Sequence, residues 1–364
     1  FMQVGIKGDL DNWEVYENCK DGGAIIATGH AHSYSRTKTL TDMEKQIVDT
    51  QWPEPNNLRV KEGATFVFVS ALGGHPNLAE DIPIQTRCLP TTYPYGCNGE
   101  WASIYTASQD ATSGALFCTF NVDGQPNKAY CYFKNIDGRI IDEFTVTSFV
   151  GTSSDNTSLA NVDEKLIHVN ADLRVAFIAE QSLSPDAIAV LNLIKDERAG
   201  MVLHQGDFDN KDDPVLWDKT ISNVLGDDFP YFATPGGSDI VKWDQYQQVL
   251  QDRLDKIPDA ECIGDLGIKS SCTYKGLFFI LASPGIPLLD RDVSGYDSFI
   301  ENQLNNNDHT WRICAWERTT TSMQVGDKGD STGWEVYENC KDGGAIIATG
   351  HAHSYSRTKT LTDM

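Results

Sequence analysis

GGAIIATGHAHSYSRTKTLTDM occupies residues 22–43 and recurs without change at residues 343–364. AIIAT is a short apolar run that predicts a buried strand. GHAH follows it at the strand's end, where two histidines at i and i+2 suit metal coordination. The match extends outward, so that residues 2–43 align with 323–364 at a constant offset. Only Ile6/Asp327, Leu10/Ser331, Asp11/Thr332 and Asn12/Gly333 differ, all before Trp13 and Trp334. Nothing else in the chain is duplicated. So long a period makes each repeating unit a whole domain and not a solenoid element.

The polar stretch VGTSSDNTSLANVDEKLIHVNA at 150–171 divides the chain as a linker. Before it, ATFVFVSALGG, ALFCTF and AYCYFKNIDGRIIDEFTVTSF alternate in the manner of strands. Asp123-Gly124 and Asp137-Gly138 are turn signals that suggest antiparallel hairpins. After the linker, strands and helices alternate. RVAFIAEQ, MVLHQGD, FPYFATPGG, GLFFILASPG and WRICAW read as strands. PDAIAVLNLIKDERAG, DPVLWDKTISNVLG and SGYDSFIENQLNNN read as helices. This rhythm predicts an α/β layered fold with its site on the strand-end loops.

The 52 acidic residues against 29 basic ones give a formal net charge of −23. Such a balance argues against nucleic acid, whose phosphates need a basic footprint. No apolar run is long enough for a membrane span. FMQVGIKGDL lacks the basic and apolar regions of a signal peptide, so a secretion signal would lie outside this sequence. Nine cysteines, with Cys19 and Cys340 equivalent in the two copies, leave eight per unique length. Short separations suggest the pairs Cys88–Cys97, Cys118–Cys131 and Cys262–Cys272. Cys314 is left for Cys340, or for Cys19 of the equivalent segment in a neighbouring unit. With no C-x-x-C zinc spacing, these read as disulfides in an oxidising compartment, extracellular or at the cell surface. Asn156-Thr157-Ser158 is a glycosylation sequon in the polar linker, giving a candidate glycan at Asn156. The eight tryptophans are expected in the core.

The strand-end stretches FIAEQSL, HQGDFDN, TPGGSD, WRICAWE and GHAHSYSRT, followed by VSALGGH, resemble the calcineurin-like metallophosphoesterases, most closely the purple-acid-phosphatase-like branch. The resemblance covers nearly the whole chain when 172–364 is read before 44–149. It implies a four-layer α/β/β/α sandwich assembled from two chain halves in permuted order. Residues 1–149 would be the C-terminal part of one domain, and 172–364 the N-terminal part of the next. The family's chemistry uses two metal ions that share a carboxylate, clamp a phosphate ester and activate a water.

Carried over by position, Asp207 stands where the bridging carboxylate belongs, and His351 with His353, or His30 with His32, where GHxH supplies an imidazole to each metal. The remaining positions depart from the pattern. Glu180 replaces an aspartate, Asn210 a tyrosine, and Glu317 a histidine. Gly237 replaces an amide ligand, and Ser238 a histidine that would protonate the leaving group. Both the second metal position and the acid catalyst are damaged, so no catalytic set is intact. Glu180, Asp207, Asn210 and His353 (or His32 in the first copy) could hold one divalent ion, calcium, manganese, zinc or iron. His75, His168, His204 and His309 read as structural or surface residues.

The expected function is a structural repeat unit of an extracellular filament or tandem array, a pseudophosphatase whose partners are copies of itself arranged head to tail. An active secreted metal-dependent phosphomonoesterase is the alternative. A calcium- or carbohydrate-binding adhesion module is a second.

Overall fold

The computed structural model describes residues 25–28, 34–42, 45, 47–61, 63–74, 99–106, 109–149, 172–287, 295–307, 309–318, 332, 335–349 and 355–359. In the first half, β1 (Ile26–Thr28) and β2 (Tyr34–Thr37) come from the first repeat copy. A short pair follows, β3 (Leu40–Asp42) and β4 (Ile47–Val48), then β5 (Asn57–Val60) and β6 (Phe66–Ser70). The half ends with β7 (Trp101–Tyr105), β8 (Gly114–Phe120), β9 (Lys128–Asn135) and β10 (Ile140–Ser148).

The second half alternates. It runs β11 (Leu173–Ile178), α1 (Pro185–Asp196), β12 (Met201–Gln205), α2 (Pro214–Leu225), β13 (Tyr231–Thr234) and α3 (Trp243–Leu254). Next come β14 (Ala260–Asp265), β15 (Lys269–Tyr274), β16 (Leu277–Ala282), α4 (Tyr296–Asn305) and β17 (Trp311–Trp316). The second repeat copy contributes α5 (Glu335–Asp342), β18 (Ile346–Thr349) and β19 (Tyr355–Lys359).

The helix starts follow from local chemistry. Ser184 accepts from the Ala187 amide at 3.1 Å ahead of Pro185. Asp213 accepts from the Leu216 amide at 3.0 Å ahead of Pro214. A capping oxygen followed by proline satisfies a free amide and sets φ for the first turn. Helix α3 is unexpected from sequence, because WDQYQQVLQDRL is mostly polar. Its buried Trp243, Tyr246, Leu250, Arg253 and Leu254 nonetheless fall on one helical face. Arg253 secures that face, donating to the Asp218 carboxylate at 2.7 Å and to the Gly226 carbonyl at 3.2 Å.

The strands form two large sheets, which makes the chain a mixed α/β protein. The seven-stranded sheet runs β13-β12-β11-β8-β9-β10-β5. β11, β12 and β13 are parallel, whereas β11 pairs antiparallel with β8, setting Val175 opposite Cys118. Strands from either side of the linker therefore share one sheet. The other sheet runs from β14 at one edge to β7 at the other and contains both repeat copies. Aromatic contacts join the two sheets: Phe68 of β6 lies edge-on to Phe177 of β11 at 5.6 Å, and Phe232 of β13 to Phe279 of β16 at 4.6 Å. Trp101, Trp217, Trp243, Trp311 and Trp316 are buried, as expected of core tryptophans, whereas Trp52 is only partly buried and Trp13 and Trp334 lie outside the described residues.

Three disulfides form among the described residues. Cys118–Cys131 bridges directly opposed positions of β8 and β9, and Cys262–Cys272 those of β14 and β15. Cys314–Cys340 ties β17 to α5 across a separation of 26 residues. They are compatible with an extracellular setting. Cys88, Cys97, Cys19, Asn156 and the linker lie outside the described residues. Closing a loop of the Cys314–Cys340 size restricts the unfolded chain by roughly 3 kcal/mol. Cys340→Ser should therefore lower the melting temperature measurably by calorimetry, and an unchanged melt would show that this bridge does not form.

Candidate metal centre

Three parallel strands of one sheet and one strand of the other deliver their C-terminal ends to one place. Glu180 follows β11, Asp207 follows β12, the Gly236–Asp239 turn follows β13, and Glu317 follows β17. Glu180 and Glu317 are fully buried and Asp207 is 7% exposed, with oxygen atoms of all three within 4.8 Å of one another. The backbone is bent to achieve this. Glu180, Asp207 and Asn210 have φ of 56°, 57° and 54°, in the left-handed region that costs an L-residue about 1 kcal/mol or more. Among the described residues, five of the ten non-glycine residues with positive φ, these three with Ser182 and Asp212, fall in these two loops. The loops are joined by Glu180 N–H to the Gly206 carbonyl at 3.2 Å and Gln181 N–H to the Asp207 carbonyl at 3.1 Å.

Asp239 organises the turn beneath the cluster. Its Oδ2 accepts from the amides of Asp207 at 2.9 Å and Gly236 at 2.7 Å, and its Oδ1 from the Phe208 amide at 3.0 Å. Burial, and after it the Asp207 charge, raises its pKa well above the usual carboxylate range, against the pull of those three amides. Gly206, with φ of +77°, must be glycine because a Cβ there would sit 2.7 Å from both the Glu317 side chain and Gly236.

Gly237 and Ser238, both singled out in the sequence, lie against the acidic cluster. At Gly237 a Cβ would stand only 2.6 Å from Arg318 Nη2. Arg318 thus fills the space above that glycine, and its Nε lies 2.9 Å from Glu317 Oε2. Ser238 turns both its amide and its hydroxyl to Asp207 Oδ1, each at 2.8 Å. Asn210 is exposed at the rim, three residues beyond Asp207. His30, His32, His351 and His353 lie outside the described residues. Arg318 was missed in the sequence; the only signal was its place directly after the Glu317 position in CAWERT.

Beneath the site is a neutral polar layer. Tyr231 donates to Gln181 Oε1 at 2.9 Å, and His204 Nδ1 lies 2.8 Å from the same hydroxyl. Because the tyrosine's proton is committed to Gln181, His204 must carry its own proton on Nδ1. Complete burial lowers the His204 pKa to about 3, with the Asp207 charge opposing. His204 is structural, as its sequence context suggested.

The cluster's chemistry is that of a cation site. Three carboxylates against one guanidinium leave two negative charges, which one divalent ion would balance in a low-dielectric setting. The described donors are all oxygen, which suits a hard ion such as calcium or manganese. The residues present thus fit one divalent metal.

No family model matches the chain, and no curated protein matches it in sequence. Among solved structures it is similar to the purple acid phosphatase PPD1 isolated from yellow lupin (Lupinus luteus) seeds, with 15% identity and a TM-score of 0.28. That match covers 52% of this chain and 36% of the other, so it spans well under half of the lupin chain's length.

Proposed function

We propose that this chain is a structural repeat unit of an extracellular filament or tandem array, built on a metallophosphoesterase-like domain that no longer turns over phosphate esters. The observation that carries the reading is the duplicated segment at 2–43 and 323–364. Its two copies lie in one sheet, together with strands from both sides of the linker. This supports a permuted α/β/β/α domain whose two parts can come from successive units. Head-to-tail contact of that kind does not close, and it generates open fibres. Micrographs of the purified protein should show strings of globules at one globule per unit; dispersed single globules would reject the assembly.

Loss of catalysis rests on two substitutions. The Ser238 hydroxyl is bonded to Asp207, leaving it poorly placed to protonate a leaving group, and Arg318 fills the space above Gly237. The acidic triad favours one retained role, binding a single hard divalent ion through Glu180, Asp207 and Glu317. Such an ion would supply charge neutralisation to the buried carboxylates. Calorimetric titration with manganese or calcium is expected to give one site per chain, abolished in Asp207→Ala. A chromogenic phosphate monoester with manganese, zinc or iron should show no turnover above that of Asp207→Ala. Turnover that depends on Asp207 would instead establish the phosphomonoesterase alternative.

A further inference from the structure

The two repeat copies make complementary pairings in the ten-stranded sheet. β18 of the second copy runs parallel to β17, with Ile347 opposite Cys314, Ala348 opposite Ala315 and Thr349 opposite Trp316. β1 of the first copy runs parallel to β6, with Ile26 opposite Val67, Ala27 opposite Phe68 and Thr28 opposite Val69. Ile26, Ala27 and Thr28 are the same positions of the repeat as Ile347, Ala348 and Thr349. One strand of this sequence, flanked by β17 on one edge and β6 on the other, would reproduce every rung of both ladders.

The strands after the GHAH loop give the same result. β2 pairs with β6 through Tyr34–Ser70, Ser35–Val69 and Arg36–Phe68. β19 pairs with the same residues of β6 through Tyr355–Ser70, Ser356–Val69 and Arg357–Phe68, also antiparallel. Strands on opposite edges of β6 would be roughly 9.5 Å apart. The Cα atoms of β2 and β19 instead approach within 8 Å, and the Ile347 amide donates to the Ile25 carbonyl between the copies. A strand has two hydrogen-bonding edges, yet β6 pairs with β1, β2 and β19. The two copies therefore compete for the same pairing positions along β6.

We propose that β6 accepts one IIAT strand in parallel pairing and one YSRT strand in antiparallel pairing at a time, and that the second repeat copy is a strand donor to β6 of a second copy of this chain. This rests on the repeat-unit reading and specifies its joint. The donor strand brings its own β17 with it, held by the Cys314–Cys340 disulfide. The acceptor side offers β6 and, beyond it, Asp142, which is ion-paired with buried Arg36 of the resident copy. An unplaced strand exposes backbone that seeks an edge, and β6 of another copy offers the register already encoded.

The test uses two full-length single variants, Val69→Cys and Ser356→Cys, incubated together at high concentration and then oxidised. A covalent species of twice the chain mass, carrying a 69–356 bridge by mass spectrometry and absent from either variant alone, is the expected result. Failure of the mixture to give that bridge would overturn donation. The doubly substituted chain Val69→Cys/Ser356→Cys reports whether the second copy reaches β6 at all. Its bridge confined to single chains at every concentration would also overturn donation. The filament reading stands or falls separately on the micrographs, because filaments without the 69–356 bridge would reject only this joint.

Discussion

Asp239→Ala is expected to destabilise the fold by about 3–6 kcal/mol, since each buried group left without its partner costs about 1–3 kcal/mol. The methyl group would leave the amides of Asp207, Phe208 and Gly236 without their acceptor. All three belong to the loops that carry the acidic cluster, and Asp239 itself is fully buried, so water cannot take over its role. Asp239→Asn should cost less, because one carbonyl oxygen remains for part of the set while the amide NH2 opposes the rest. Urea unfolding of the three proteins should rank native above asparagine above alanine. Equal stability of native and alanine forms would mean that these amides are satisfied some other way, and the turn would need a different explanation. Because Asp207 hangs on the same bonds, the alanine variant should also lose the metal titration proposed for the triad.

Much of this site was legible in the sequence because strand-end motifs combine two local signals. An apolar run ending in Gly206-Asp207 fixes both a buried strand and the acid at its tip. The run before Glu180 and the run before Glu317 do the same. Proximity between them was legible only through the resemblance, since no local rule brings the end of β17 to the end of β12. Arg318 was hidden for a different reason. Its effect lies in reaching the space that Gly237 leaves open, a contact between loops of two sheets. Helix α3 was missed because its polar composition masks a face whose burial is decided by tertiary packing. Cross-strand cysteine pairs were legible because both partners of each lie on strands joined by short turns. The competition of two repeat copies for β6 could not be read from sequence, where duplication alone does not say whether one slot or two exist.

Acidification is expected to weaken the fold through His204, and the sign follows from its depressed pKa. Burial holds the folded-state value at about 3, whereas the unfolded chain takes up a proton near the usual value of about 6.5. Above the unfolded value both states are neutral at this position, and the residue's contribution is fully present. As pH falls below about 6.5 the unfolded state gains a proton that the folded state refuses, so stability drops by about 1.4 kcal/mol per unit. Across the window down to the folded value the loss would total roughly 4–5 kcal/mol. Asp239 acts with the opposite sign, because its raised pKa makes the folded state the better proton acceptor there. The comparison must therefore be made against a variant that leaves Asp239 in place. His204→Asn keeps a donor facing the Tyr231 hydroxyl while removing the titrating ring. It should start lower at neutral pH, for the lost packing against Phe208. Its stability should then fall less steeply than that of the native protein between pH 6.5 and 4, in urea unfolding at fixed ionic strength. Parallel profiles would show that another group carries the acid sensitivity and that the layer beneath the acidic cluster is not held neutral by burial.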